Sequence, residues 1–499
     1  MLVKYHAMYP VTACSSPVQD QEGTPKPFSR IPIRSAMNQL PAVPFLVPSI
    51  LEALQTSPEY RDITSVIPGE ADLYCAKSVK DAGGIVLTSD SDLLAHDLGP
   101  LGAVVFFGDI EMKDGDSLWA PIYQPATISG RLDLHGPRGL QALAFEMFLD
   151  NHGSLPVLVK KANHEHSIKL FQTRFEDFQR EYVSLAASPL NTAIMPQIRT
   201  VLQSLDPRIS EFVLQFPFIA DIAAQPPYPG AHSSPHIFLP FSYDCPIRTT
   251  AWEPSRGVRQ LAYGLINLVA PEKEQISTTF EHIRQETESG GRELQVPGSD
   301  QLVRLCASLV NLFKDTIAKF PSISALDLWT TMAVVQDIQF SHHNSKANLG
   351  QIVKQQVLQS KEKLHESLTW EILHYHAQLQ SSLYSFRILK QILSVLLTYS
   401  TSENLPVVMS RLQETLAGLP PISEVQDLGS AISTVKFIRN MDMMKGAQEI
   451  LGITIPEISS KPKMTRREVK RNRKADKRNK KPTRDNQTSN NPFELLGSE

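Results

Sequence analysis

Apolar and polar positions change rhythm several times along this chain. Up to residue 45 no period is sustained; Pro and Ser recur, and the segment reads as extended, weakly ordered chain. From "LVPSILEALQTS" to about Asp116, helical and strand patterns alternate. They predict an apolar helix, a short strand at "DITSVI", a helix over "EADLYCAKSVKDAGG", and strands at "GIVLT" and "GAVVFFGDI". In the second helix Leu73, Ala76, Val79 and the aliphatic stem of Lys80 share one side, and Gly83-Gly84 supplies the stop. "GIVLT" is an unbroken apolar run, the pattern of a strand buried on both faces. Together these pieces predict a small parallel-sheet core over residues 46–125.

After the turn-rich link "PATISGRLDLHGPRG", apolar residues recur at three and four positions to about residue 455, as in "LQALAFEMFLDN", "GVRQLAYGLINLVA" and "DQLVRLCASLVNLFKDTIAKF". That spacing predicts a large, mainly α-helical region over 126–455. "AAQPPYPGAHSSPHIF" and "RQETESGGRELQVPGSD" read as surface loops between its helices. No fixed-period repeat is evident. The fold class is therefore α/β: a small parallel-sheet core followed by helices, flanked by a weakly ordered segment 1–45 and a disordered basic tail 456–499.

Composition narrows the function classes. Forty-one per cent apolar and 20% charged residues are ordinary for a globular protein. Cys14, Cys75, Cys245 and Cys306 are far apart and form no CxxC pair, the usage of reduced thiols in an intracellular protein. No apolar run approaches the ~18 residues of a membrane span, and no signal-peptide core opens the chain. A soluble protein with no membrane partner is expected. The net charge of −3 hides an asymmetry: residues 461–484, "KPKMTRREVKRNRKADKRNKKPTR", hold 13 Lys or Arg against two acids, so the body before them is acidic. Such a run is either a signal for the nuclear import machinery, a nucleic-acid tail, or a solvated tail without a partner. Localisation in the nucleus is the expectation. Beyond it, Phe493, Leu495 and Leu496 stand out in "NNPFELLGSE", either as a short docking motif or by chance.

The strongest chemical signal lies in two acid pairs, Glu70 with Asp72 and Asp90 with Asp92. Either pair alone could be a cap or turn former. Both, however, sit at junctions beside apolar segments, and Asp90 and Asp92 fall just past the carboxyl end of the predicted strand, where open α/β sheets build sites. Crowded carboxylates suit phosphodiester hydrolysis with divalent ions: Mg²⁺ takes hard oxygen ligands, and bound cations make the crowding tolerable. Positions i and i+2 do not share a helix face, so Glu70 must precede the first turn, where Pro68-Gly69 places it.

These residues carry a resemblance. "PGEADLYCA" followed by "GGIVLTSDSDLL" resembles the internal acidic block of the XPG nuclease superfamily, and is most similar to its asteroid branch. The resemblance implies a PIN-like α/β core and a Mg²⁺- or Mn²⁺-dependent endonuclease acting on branched or single-stranded DNA, with RNA as another substrate class. It makes Glu70 and Asp72 ligands of the catalytic metal, and Asp90 and Asp92 ligands around a second. The chain also departs from the pattern. Residues 1–45 hold no apolar strand ending in Asp, and Asp20 sits in a polar loop, so the core reads as N-terminally truncated and weak or absent catalysis is expected. No "GIGPKxA"-like hairpin follows the acidic block; its nearest counterpart, "LAFEMFLDNHGSLPVLVKK", carries Asp150. The alternative is a non-catalytic nuclear scaffold or nucleic-acid-binding adaptor.

Three further constellations are weaker. His164 with His166, His342 with His343, and His374 with His376 lack the spacing of a helical zinc site and read as surface or packing residues. Trp252, near Arg256 and Arg259, is either an exposed stacking platform for unpaired bases or a core residue. In the second reading Ser255 is an N-cap and the two arginines pair with surface acids.

Overall fold

Phe45, at the start of the described residues, holds a left-handed backbone conformation (φ 52°), and its ring is buried against Trp252 and Tyr384, at centroid distances of 5.8 and 5.2 Å. The computed structural model describes residues 44–67, 71–113, 117–182, 196–220, 234–245, 248–283, 291–359, 369–400, 405–425 and 443–455. The expectations for residues 1–43 and 456–499 lie outside these. Helix α1 (Leu46–Thr56) follows Phe45. The strand expected at "DITSVI" does not form: Arg61–Ile63 is a 3₁₀ turn, and the Thr64 hydroxyl donates to the Tyr60 carbonyl at 2.7 Å. A local side-chain bond competes here with strand pairing, and leaves Ile63 79% exposed.

Helix α2 (Ala71–Lys80) ends where expected. The amide of Gly83, at φ 74°, donates to the Val79 carbonyl at 2.9 Å. Strand β1 (Gly84–Thr88) then pairs in parallel with β2 (Gly102–Phe106), Val86 opposite Val104. The connection between them is a 3₁₀ turn (Asp92–Ala95) and a loop whose Gly99 lies at φ 70°. A Cβ there would meet the Lys80 carbonyl oxygen at 2.1 Å, so glycine lets the loop cross the end of α2. Ala76, Val79, Val86, Leu93, Leu98 and Val104 close a small core between helix, strands and turn.

The expectation that β1 is buried on both faces needs correction. Val86 is buried, whereas Ile85 and Leu87 are each about half exposed among the described residues. An apolar run of five residues does not distinguish one covered face from two, and here only the α2 side is covered. β2 is buried along most of its length, and its far edge is closed by an antiparallel bridge from Val104 to Tyr123.

A short hairpin, β3 (Glu111–Lys113) and β4 (Ser117–Trp119), leads into helices α3 (Pro125–Arg131), α4 (Gly139–Leu149), α5 (Leu155–His164), α6 (His166–Leu170) and α7 (Gln172–Tyr182). At their centre Phe145 meets Phe175 edge to face at 5.0 Å and Phe178 at a tilt at 5.5 Å, while Phe175 and Phe178 stack at 6.1 Å. Beyond them come α8 (Pro196–Ser204), α9 (Pro207–Leu214) and α10 (Pro217–Ala220).

A second sheet was not expected. β5 (His236–Phe238) runs parallel to β6 (Thr278–His282), which is antiparallel to β7 (Arg292–Gln295); α11 (Arg256–Gly264) lies between β5 and β6 in sequence. Thus β5 forms the end of the first segment read as a loop, and β7 lies in the middle of the second. The remaining helices are α12 (Ser299–Lys319), α13 (Ala325–His343), α14 (Leu349–Gln359), α15 (Trp370–Tyr399), α16 (Val407–Ala417), α17 (Ile422–Val425) and α18 (Met443–Leu451). α15 is buried over most of its 30 residues and packs against α11, α13 and α16. The protein is mixed α/β, with a small parallel sheet and a mostly helical body. No described helix is long and apolar enough to cross a membrane.

Candidate functional site

The turn after β1 places Asp90 and Asp92 side by side. The Asp90 amide donates to the Thr88 hydroxyl at 3.0 Å, and the Asp92 amide donates to Asp90 Oδ1 at 3.0 Å. This is an Asx-type turn, in which a carboxylate oxygen holds the backbone two residues on. Just behind it, Leu93 and Ala95 plunge into the core, so both carboxylates are held at the surface on an anchored base. Burial, and then the neighbouring Asp90 charge, raise the Asp92 carboxyl above its ordinary range. His96, buried beneath, is pushed down by desolvation and drawn the other way by Asp90.

Asp72 stands half-buried in the first turn of α2, which packs against β1, β2 and the 3₁₀ turn. Burial first, and the Asp72 charge second, push the Cys75 thiol up. Glu70 lies outside the described residues. The structure therefore brings Asp90 and Asp92 together and puts Asp72 on the adjoining helix. Among the described residues, no group of three or more His, Cys, Asp or Glu side chains is arranged to hold a metal ion. The Asp90–Asp92 pair nonetheless has the donor chemistry of a hard divalent cation: two like charges that a cation would relieve, with water and phosphate able to supply further oxygens.

Facing this turn is a wall that the sequence reading did not identify. α4 packs against the 3₁₀ turn, and Leu140, Leu143, Ala144, Met147 and Phe148 on one of its sides border a cavity of about 360 Å³, with Ser91 and Asp92 on the other rim. The signal was present in "GLQALAFEMFL", which is apolar on two faces, more than one core requires.

The weaker constellations resolve differently. Trp252 is fully buried, so the stacking-platform reading is excluded. Neither arginine meets a surface acid as expected: Arg256 pairs with Glu253, which is itself buried, and Arg259 is enclosed and pairs with buried Glu281, its Nη2 3.0 Å from Oε2. Ser255 occupies the N-cap position of α11 without a capping hydrogen bond; its hydroxyl instead accepts from Arg259 Nη1 at 3.0 Å. His164, His166, His342 and His343 are exposed, and His374 and His376 are buried along α15.

The small α/β core thus carries paired acids at the carboxyl end of a parallel strand, the edge at which open α/β sheets build sites. The family described as XPG domain containing matches residues 42–296, more than half of the chain, and the chain belongs to that family. No curated protein and no solved structure matches it.

Proposed function

We propose that this protein is a metal-dependent endonuclease of the asteroid type that hydrolyses phosphodiester bonds in branched or single-stranded DNA, with RNA a further substrate class. The observation that carries the reading is the Asp90–Asp92 turn at the carboxyl end of β1 in a chain of the XPG family. In this reading residues 46–125 are the catalytic module, and Asp90, Asp92, Asp72 and Glu70 are the ligands of Mg²⁺ or Mn²⁺. A bound divalent ion would supply charge to polarise the phosphate and acidify a water. The chain's own part is positional: the Asx turn fixes Asp90, the buried Leu93 holds the turn in place, and the Asp92 amide is kept on Asp90 rather than on substrate. The basic segment 461–484 is proposed as the signal that carries the protein to the nucleus.

A non-catalytic nucleic-acid-binding or scaffold role is the second reading, favoured by the want of a three-acid cluster among the described residues. One assay separates the two. The full chain is incubated with labelled flap, single-stranded and duplex DNA in Mg²⁺, Mn²⁺ or chelator, beside Asp90→Ala. Weak metal-dependent cutting that is lost in Asp90→Ala, at an unchanged melting temperature, is the expected result. Retained binding without cutting would hand the function to the second reading.

A further inference from the structure

We propose that the hairpin of β3 and β4 is a docking site for a partner protein, which adds an extended, basic segment to it as a third strand. The proposal does not depend on the phosphodiester reading of the acidic turn. Among the described residues β3 and β4 pair only with each other, Glu111 opposite Trp119 and Met112 opposite Leu118. Opposite residues share a face, so Glu111 and Trp119 lie on one side of the ribbon and Met112 and Leu118 on the other. All four are exposed, Leu118 by 59% and Trp119 by 57%. Phe107 and Ile122, just outside the two strands, are exposed too. A two-stranded ribbon is marginal in water, and a third strand is what stabilises such a sheet. Apolar side chains gathered on one exposed element mark an interaction surface, unlike apolar residues scattered singly.

Charge decides what binds there. From Phe107 to Trp119 the chain reads "FGDIEMKDGDSLW", four acids against one lysine. That field repels phosphate, which sets nucleic acid aside as the occupant, and attracts lysine and arginine. On one face of the ribbon a carboxylate, Glu111, stands opposite an indole, Trp119. The two together suit a cationic side chain, whose charge meets the carboxylate and the face of the ring at once. The other face, Met112 with Leu118, offers apolar contact. Side chains of a strand alternate between faces, so the segment that fits alternates basic with aliphatic residues. Its main chain bonds to an outer edge of the hairpin and supplies affinity, while the alternating side chains supply specificity. Tryptophan is among the residues that most often carry the energy of such an interface.

The test uses the full chain and a fluorescent peptide alternating Lys with Val. Its controls are the Glu–Val counterpart and a Lys–Val peptide with every amide N-methylated, which has no donors for a ladder. By fluorescence anisotropy the native protein should bind the Lys–Val peptide at least about tenfold more tightly than either control. Trp119→Thr keeps a strand former at an exposed position and should lose at least about tenfold in affinity. Glu111→Lys should lose affinity for the Lys–Val peptide and gain it for the Glu–Val one, and both variants should melt at the native temperature. Equal binding of the Lys–Val and Glu–Val peptides would overturn the proposal, as would Lys–Val binding indifferent to both substitutions or unchanged by N-methylation. Labelled single-stranded DNA whose binding falls in Trp119→Thr, with no Trp119-dependent binding of the peptide, would overturn it in favour of a nucleic-acid surface.

Discussion

Asp337 is a carboxyl group enclosed in the core, where Asn348 Nδ2 donates to it at 2.8 Å and the Gly350 amide at 3.3 Å; neither partner is a cation. Burial outweighs these two bonds and pushes it up to about 6. In the unfolded chain the same group ionises near 3.9. The folded state thus holds a proton that the unfolded state has released between pH ~4 and ~6, and stability falls as pH rises through that window. His374 works in the opposite sense. It accepts the Cys245 amide at Nδ1 (3.0 Å), and burial, reinforced by Arg248, holds it down at about 3. An unfolded histidine charges near 6.5, so this group removes stability as pH falls from ~6.5 toward ~3. The two slopes oppose each other between pH ~4 and ~6. Asp337→Asn should therefore expose the histidine slope: stability at pH 7 rises by about 3 kcal/mol, and the loss on acidification becomes steeper. Urea melts of both proteins from pH 4 to 8 measure this, and parallel curves would show that Asp337 is not the group responsible.

At the scale of elements, a buried ion pair joins α11 to β6. Arg259 and Glu281 are each about 1% exposed; Tyr263 donates to Glu281 at 2.7 Å, and Arg259 Nη1 reaches the Trp252 carbonyl at 2.8 Å and Ser385 of α15 at 3.2 Å. Removing one partner leaves a charge enclosed without compensation. Arg259→Met alone should cost about 3–5 kcal/mol, and Arg259→Met with Glu281→Leu should recover most of it. A double-mutant cycle by chemical denaturation checks both numbers; additive losses would mean that the pair is not coupled. The same pair shows what was legible in the sequence. Long helices such as α12 and α15, α2 with its glycine stop, β1, and the acidic turn behind it all follow from local spacing. β6 did not, because "TTFEH" turns Thr279 and Glu281 inward, so its alternation puts polar side chains where a strand pattern looks for apolar ones. Arg259 was expected to meet a surface acid because its partner lies 22 positions away on that unread strand. The second apolar face of α4 was legible but unused, since a helix pattern alone does not say that one of its faces borders the acidic turn.

Over the whole molecule, the XPG-family match runs from residue 42 to 296, spanning the acidic turn, the aromatic cluster and the second sheet, and it stops beside the end of β7. The functional proposal therefore belongs to that span, and the basic run 461–484 is a separate handle. The body is acidic, so a nucleic acid gains no general attraction from its surface, and the 13 bases of the run are the chain's main concentration of positive charge. Two uses of that charge make different predictions. As an import signal it should act when moved: a tagged chain lacking 461–484 should lose nuclear accumulation, and a reporter carrying the segment alone should gain it. As a phosphate-binding arm it should act through counterion release: the deletion should weaken single-strand binding and flatten its salt dependence, with localisation unchanged. We expect the first outcome, with the melting temperature of the body unaltered because the segment carries no apolar period that would bury it. An unchanged nuclear fraction together with a flattened salt slope would transfer the segment from targeting to substrate binding.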